Sequence, residues 1–313
     1  RLSCQCKVKN DLHVKIPESL LELKEFSGKV ISNQNVATFI KELIVQIDPP
    51  PTYRPGDYLQ FHVPEYHTCT DDWKSTMDSK YLPDWEKYHL FGHTIDFAPS
   101  EPTIRAYSMA SHPAEGNLFK FNIRIATPPI KDGQLVKNIP WGICSTYTFG
   151  LKPGDQIKLS GPYGESHMKD DQRELIFLIG GAGSSFGRSH ILDLFQKGTQ
   201  RSVTLWYGAR SLKENIYQEE YQNLDQNHPN FTYHLVLSEP DPQDIEGGWP
   251  KDDPTKTAFL FKAFELGQLK NMEVPEDCLY YVCGPPMHNK SIIKLLDDYG
   301  VSKENIVLDD FGN

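Results

Sequence analysis

One short stretch narrows the fold more than any other part of these 313 residues. Leu175-Ile176-Phe177-Leu178-Ile179 is an unbroken apolar run that leads straight into Gly180-Gly181-Ala182-Gly183. A run of that length reads as a strand buried on both faces, the habit of parallel sheets covered by helices. A helical pattern follows over 188–195. Glycines between such a strand and helix let backbone approach a phosphate, and the free N–H groups of the helix N-terminus meet its charge. The run is not a full GxGxxG, because Phe186 stands where the third Gly belongs. No acidic residue closes the next strand, which ends Tyr207-Gly208-Ala209-Arg210-Ser211. On this motif alone, an ordinary tight strand-to-helix turn explains the glycines equally well.

The rest of the chain divides by texture. After residue 172, strands at 202–207, 231–237, 279–282 and 305–308 alternate with helices near 214–224, 256–268 and 286–299. Parallel strands joined by right-handed crossovers read this way. Before it, β-rich runs at 29–32, 37–45, 58–63, 118–125 and 156–160 are separated by turn chemistry, at Asn33-Gln34-Asn35 and from Pro49 to Asp57. The expected architecture is an antiparallel β-barrel over 27–165 followed by an α/β doubly wound parallel sheet over 166–313. The stretch 65–104, rich in Trp, Tyr, His and Asp, is expected to be an insertion or long loop.

Charge and cysteines exclude several classes. Lys plus Arg is 32 against 42 for Asp plus Glu, a net −10 with no basic block. That argues against nucleic acid as a partner and against docking on anionic lipid by charge alone. No apolar run reaches the roughly 20 residues that span a bilayer. Cysteines at 4, 6, 69, 144, 278 and 283 form no CxxC or zinc spacing, and reduced thiols are expected. The chain opens on Arg1 rather than Met and is expected to be a fragment or a processed product.

Four further motifs carry chemistry. Arg105-Ala106-Tyr107-Ser108 puts a flat ring and a bidentate cation on one side of a strand, with a small donor beside them. An exposed charge on a plain strand is the bland alternative. Gly142-Ile143-Cys144-Ser145-Thr146 reads as a helix start and a second anion site, or as simple capping. Cys283-Gly284-Pro285-Pro286-Met287 sets a thiol at the sheet edge, where a buried structural cysteine is the alternative. Asp309-Asp310-Phe311-Gly312-Asn313 could lay a ring over a ligand, or simply pack or fray.

Together and in this order, these motifs resemble the ferredoxin–NADP reductase superfamily, whose members join a flavin-binding barrel to a nicotinamide-nucleotide domain. The resemblance covers about 27–313. Within it, Val30-Ile31-Ser32-Asn33, Ala37-Thr38-Phe39-Ile40-Lys41-Glu42-Leu43, Arg124-Ile125-Ala126-Thr127-Pro128-Pro129, Trp206-Tyr207-Gly208-Ala209-Arg210-Ser211 and Leu308-Asp309-Asp310-Phe311-Gly312 are similar to the F-subunit family of sodium-translocating NADH:quinone oxidoreductases. Arg1-Leu2-Ser3-Cys4-Gln5 is similar to the end of that family's ferredoxin domain. This implies that 1–26 is a ferredoxin-domain remnant plus linker, and that Cys4 is an orphaned cluster ligand. A [2Fe–2S] cluster is then expected only in the full-length protein. An N-terminal helix of that longer protein would hold it at the cytoplasmic face of the bacterial inner membrane.

The resemblance also implies cofactors and roles. FAD would lie between the halves, with Tyr107 on one face of its ring system and Phe311 on the other. Arg105 and the Ser145 region would bind its pyrophosphate, Ala106, Gly142 and Cys144 would also be cofactor-binding, and Ser108 would lie near flavin N5. NADH would rest on Gly181, Ala182 and Gly183, with its nicotinamide near Cys283 and Gly284. Ser108, Cys283 and Phe311 are the residues expected to act in hydride transfer. Arg210 and Lys213 can meet a 2′-phosphate, so the residues leave NADH and NADPH open where the family implies NADH. Electrons would go singly to the ferredoxin domain of the same full-length chain and on to the other membrane subunits. One departure stands out: Ser184-Ser185-Phe186-Gly187 replaces the family's usual Met-Ala-Pro-Met before Arg188-Ser189-His190. The alternatives are the reductase component of a multicomponent oxygenase, sharing the chemistry, and a non-catalytic nucleotide-binding module. A thiol hydrolase built on Cys283 lacks a His–Asp arrangement.

Overall fold

A computed structural model describes residues 24–131, 134–136 and 138–310. Cys4 and Phe311 lie outside the described residues. The first half holds β1 (Lys24–Ala37), β2 (Ile40–Ile47), β3 (Tyr58–Val63), β4 (Tyr66–Cys69), α1 (Leu82–Lys87), β5 (Thr94–Phe97), β6 (Thr103–Ser108), β7 (Leu118–Arg124), β8 (Ile130–Lys131), β9 (Gln134–Leu135), α2 (Ile143–Gly150) and β10 (Gln156–Tyr163). Six of these strands form one antiparallel sheet in the order β6-β3-β10-β1-β2-β7. Its two edges meet beyond β6, where Ala110 N donates to Lys120 O at 2.7 Å. Alternate residues point inward, and Leu43, Val45, Leu59, Phe61, Phe119, Phe121 and Leu159 fill the interior. The period of two fails at Asn122, which is buried although it faces outward. The second half covers it there: Asn122 N donates to Ser185 Oγ and its Nδ2 to Ser184 Oγ, both at 3.0 Å.

Two expectations in this half are corrected. Asn33-Gln34-Asn35 is not a turn but part of β1, and the strand expected over 37–45 is interrupted by the true turn at Thr38 and Phe39. Tertiary bonds override the turn preference of asparagine. Asn33 Nδ2 donates to Thr148 O and Leu151 O at 2.8 Å, and Asn35 Nδ2 reaches across the turn to Ala37 O and Thr38 O. The 65–104 stretch is also not a loop. β4 pairs with β5, and between them Trp73, Met77, Tyr81, Trp85 and Leu90 are buried in the barrel's own core cluster. Its aromatic richness is packing: Trp73 meets Trp85 edge-on at 5.9 Å and Phe149 at 5.4 Å.

The second half holds β11 (Leu175–Gly180), α3 (Ser184–Gln196), β12 (Val203–Ala209), α4 (Gln218–Asn227), β13 (Phe231–Leu237), α5 (Pro242–Glu246), α6 (Leu260–Gly267), β14 (Leu279–Cys283), α7 (Pro286–Asp298) and β15 (Ile306–Asp309). The sheet is parallel throughout, in the order β13-β12-β11-β14-β15. Every residue of β11 and β14 is buried, as the apolar run foretold. The helix expected near 214–224 starts later, because Tyr217 sits at φ 61 and opens α4. Phe186 is wholly buried on α3 against His190, at 4.5 Å between ring centroids, and near Tyr281. The departure at that position is therefore taken up by the core.

A polar seam joins the halves. Arg188, whose side chain is 4% exposed, bonds Glu115 from the barrel and Glu220 from α4, with Nη1 also donating to Ala110 O. Its guanidinium lies 4.9 Å from the Tyr217 ring centroid. Burial alone would raise Glu115, yet Arg188 and Lys120 pull its carboxyl down to about 2. Arg188→Ala strands two carboxylates at this seam and should cost about 3–5 kcal/mol in urea unfolding. Arg188→Lys, which cannot fork to both, should fall between.

Lys41 provides a pH test of the same packing. It is 1% exposed, and its Nζ donates to Thr76 Oγ1 at 2.7 Å and to Phe149 O at 3.0 Å. Burial brings it down from 10.5 to about 7. Between these values the unfolded chain binds the extra proton, so stability rises with pH across the window, by at most about 1.4 kcal/mol per pH unit. The unfolding free energy of the wild type relative to Lys41→Met should therefore climb from pH 7 to 9. Parallel curves would mean that Lys41 stays charged in the fold.

Candidate functional site

The carboxyl edge of the parallel sheet faces β6, and the predicted motifs meet there. Cys283 ends β14, in register with Ile179 of β11 on one side and Asp309 of β15 on the other. Gly183 lies against it so closely that a Cβ would stand 2.3 Å from Cys283 O. No other residue fits that turn without moving backbone. Gly181 takes φ 54, and its carbonyl accepts from Tyr207 Oη at 3.4 Å. Gly284 packs on His288, whose Nε2 contacts Leu178 O at 3.1 Å. Burial lowers His288 to about 4, so its ring is neutral at pH 7.

Across the seam, Ser108 Oγ donates to Asp309 Oδ2 at 2.7 Å. Burial raises the Asp309 carboxyl, the Ser108 bond opposes that rise, and Asp310 adds to it. Cys283 is fully buried, and burial with Asp309 and Asp310 nearby pushes its thiol well up. A thiol held protonated is a poor nucleophile, which argues against the hydrolase alternative.

On β6, Arg105 and Tyr107 occupy alternate positions, opposite Phe61 and Leu59 of β3. The Tyr107 ring leans edge-on against Phe61 at 5.0 Å. Burial, then Cys144, raises its phenol, and burial pushes the Cys144 thiol up to about 12. The Arg105 guanidinium donates to Ile104 O and meets no carboxylate among the described residues. Ala106 beside it is exposed. Gly142 starts α2 with no side-chain cap, and a Cβ there would press on Ala126 and Ser145. The Ser145 hydroxyl is already engaged, donating to Gly142 O and accepting from Ala126 N, both at 3.1 Å. It pins the helix start to the strand end rather than lying free.

A cavity of about 510 Å³ opens at the same sheet edge. Gly180, Gly181, Arg210, Ser238 and His288 line it from the second half, and Ile40 and Arg124 from the first. Phe259 and Met287 stand exposed at its rim. A concave, mostly apolar opening with a few cations and a glycine cradle fits a nucleotide. Exposed Arg105, with half-buried Tyr107 beside it and a helix start without a side-chain cap, fits a second ligand carrying a ring and a diphosphate.

Gly181, Ala182, Gly183, Cys283, Gly284, Ser108 and Asp309 thus share one edge, with Arg210 at the cavity wall. Arg105 and Tyr107 share one side of β6, with Cys144 of α2 against Tyr107; Ala106 points to the other side, and Gly142 and Ser145 lie at the start of α2 against Ala126. Sequence reasoning assigned no role to Asp309, Arg124, Glu214 or His288. Asp309 was visible only as part of a terminal motif. Arg124 ends a strand of the other half, so nothing local pointed it toward the nucleotide cavity.

The chain is similar to known proteins throughout. The family described as Oxidoreductase FAD-binding domain matches residues 88–168, and Oxidoreductase NAD-binding domain matches 177–292. The F subunit of the Na(+)-translocating NADH-quinone reductase of Chlamydia pneumoniae is 63% identical over 100% of this chain and 74% of its own length. That of Neisseria gonorrhoeae is 44% identical over the same shares. Among solved structures, an Amycolatopsis cytochrome P450 reductase superposes with TM-score 0.64 at 18% identity, over 92% of this chain and 70% of its own. A ferredoxin-NADP+ reductase from Plasmodium falciparum gives 0.61 at 18%, over 90% and 94%. These two show the fold.

The Ser108–Asp309 bond makes a direct prediction. Ser108→Ala removes a donor that holds the carboxyl down, so the Asp309 pKa should rise further. Carboxyl titration by carbon NMR reads this, and an unchanged midpoint would mean the bond does not form in solution.

Proposed function

The chain belongs to the F-subunit family of Na(+)-translocating NADH-quinone reductases, and we propose that it is the part that takes electrons from NADH through FAD. We assign 27–165 to the flavin half and 166–313 to the nicotinamide half, in line with the two sheets and the two matching families. FAD, when bound, would supply the redox chemistry that links the two-electron donor NADH to a one-electron [2Fe–2S] cluster in the ferredoxin domain of the full-length protein. From there the route leads to the other membrane subunits, to quinone and to sodium transport, at the cytoplasmic face of the membrane. Among the described residues no helix is long and apolar enough to cross a membrane.

The residues divide the work. Gly181, Ala182 and Gly183 leave backbone open to the NADH pyrophosphate, and Arg124 and Arg210 supply positive charge at the cavity wall. Arg105 and the start of α2, at Gly142, Cys144 and Ser145, oppose the FAD pyrophosphate. Tyr107 would cover one face of the ring system; Phe311, expected on the other, lies outside the described residues. Ser108 Oγ gives its one proton to Asp309 and so holds its lone pairs in a fixed direction at the seam, while Cys283 keeps its proton on Sγ and Gly284 its close approach. A dipole fixed in this way acts without reorganising when charge moves.

The observation that carries the reading is the crossing of Ser108 with Asp309 beside Cys283 and Gly183. It joins the two halves at the point where two ligands would exchange a hydride. The purified chain should show a flavin spectrum, with or without added FAD, and NADH should bleach it under anaerobic conditions far more than NADPH. Tyr107→Ala should lose FAD on gel filtration, about tenfold more readily than the wild type. A colourless protein that takes up no FAD would overturn the proposal, and equal bleaching by NADPH would overturn its NADH part.

A further inference from the structure

The sequence leaves the choice between NADH and NADPH open because no acid closes β12 and two cations follow it. The fold brings acids to those cations from elsewhere. Lys213 Nζ lies 2.7 Å from Asp84 Oδ2 and 3.3 Å from Asp241 Oδ2. Asp84 belongs to α1, inside the packed insertion, and Asp241 leads into α5. Arg210 Nη2 lies 3.1 Å from Glu239 Oε2, just past β13. The insertion reaches this corner twice more: Tyr81 Oη donates to the Lys213 carbonyl at 3.4 Å, and Tyr88 lies beside Arg210. Glu214, on the cavity wall, accepts from both Thr38 N and Thr38 Oγ1. Around the end of β12, Arg124, Arg210 and Lys213 therefore face Glu214, Glu239, Asp84 and Asp241.

We propose that the insertion sets the nucleotide preference of this site. Asp84 with Asp241, and Glu239, occupy Lys213 and Arg210, the two cations a 2′-phosphate would recruit, so adenosine with a free 2′-hydroxyl is accepted and its 2′-phosphate refused. The inference rests on the reading of the cavity as the nicotinamide-nucleotide site. In a doubly wound fold the ribose 2′-position falls at the end of the second parallel strand, where an acid favours the hydroxyl and an arginine the phosphate. Here the arginine is present, and the acids arrive through space. A 2′-phosphate brings about −1.5 to −2 charge to a corner that already holds more carboxylates than cations. To bond Lys213 it must displace two of them. The pairs differ in strength. Lys213 and Asp84 are 27% and 26% exposed, whereas Arg210 and Glu239 are 57% and 63% exposed, so the insertion supplies the firmer block. For Lys213, burial works against the charge and the bonds to Asp84 and Asp241 outweigh it, leaving its pKa raised.

Titration calorimetry on the FAD-loaded chain, with 5′-AMP and adenosine 2′,5′-bisphosphate as probes, tests this without turnover. The wild type should prefer 5′-AMP. Asp84→Asn with Asp241→Asn should narrow that preference about tenfold by tightening the bisphosphate, and the NADPH to NADH ratio of kcat/KM should move the same way. Adding Lys213→Met should cancel the gain. Glu239→Gln, on the exposed pair, should shift the preference in the same direction by less. Asp298→Asn, at the far end of α7 and paired with Lys294, should leave it unchanged. Binding of both probes with an unmoved preference in the Asp84→Asn, Asp241→Asn double variant overturns the proposal alone, as does a gain that survives Lys213→Met or a wild type that prefers the bisphosphate. Failure of both probes to bind the wild type overturns the nicotinamide-site reading and the proposal with it.

Discussion

Arg188 is a guanidinium taken almost wholly out of water at the seam between an antiparallel and a parallel sheet, and much of the structure depends on how its charge is satisfied. Three elements must converge on it: the turn holding Glu115, the helix holding Glu220, and the carbonyl of Ala110. A buried charge tolerates little misalignment, because each lost partner leaves a desolvated group behind. The register of α3 on the barrel is therefore tightly specified. The same helix begins at Gly183, so this register also sets where the glycine turn stands relative to β6. Asn122, Ser184, Ser185 and Ser189 extend the seam with neutral bonds.

The second half was legible in the sequence to within a few residues, and the first was legible in outline. The difference is physical. Strands buried on both faces carry an uninterrupted apolar signal, as β11 and β14 do, and the helices between them are long enough to show a period. In the barrel, local chemistry misled wherever distant groups had the last word. Asn33 carries turn propensity but commits its amide to two carbonyls at the end of α2. The tryptophans of the insertion looked like loop decoration because their partners, Phe149 and one another, are remote in sequence.

The site divides along the same line. Glycines, the β6 motif and Cys283 could be marked from spacing alone, because a backbone cradle or an alternating strand is a local property. Asp309 and Arg124 acquire meaning only when two sheets meet. The acids around Lys213 come from separate stretches, so no window of sequence contains them. Charge neutralisation is a property of the folded surface, and composition reports only its sum.

The insertion has a mechanical meaning beyond its electrostatics. Two bodies joined by one linker and one seam retain an axis about which they can swing. Here Arg188 and Glu115 clasp one part of the boundary, while Thr38 on Glu214 and Asp84 on Lys213 clasp another. A boundary fastened at separate points behaves like a riveted plate rather than a hinge. Opening it would require breaking both sets of bonds together, including charges that cannot be left dry and alone. Motion needed to admit or release a nucleotide then falls to small parts at the cavity mouth, such as the exposed rim at Phe259 and Met287, and not to the two sheets themselves.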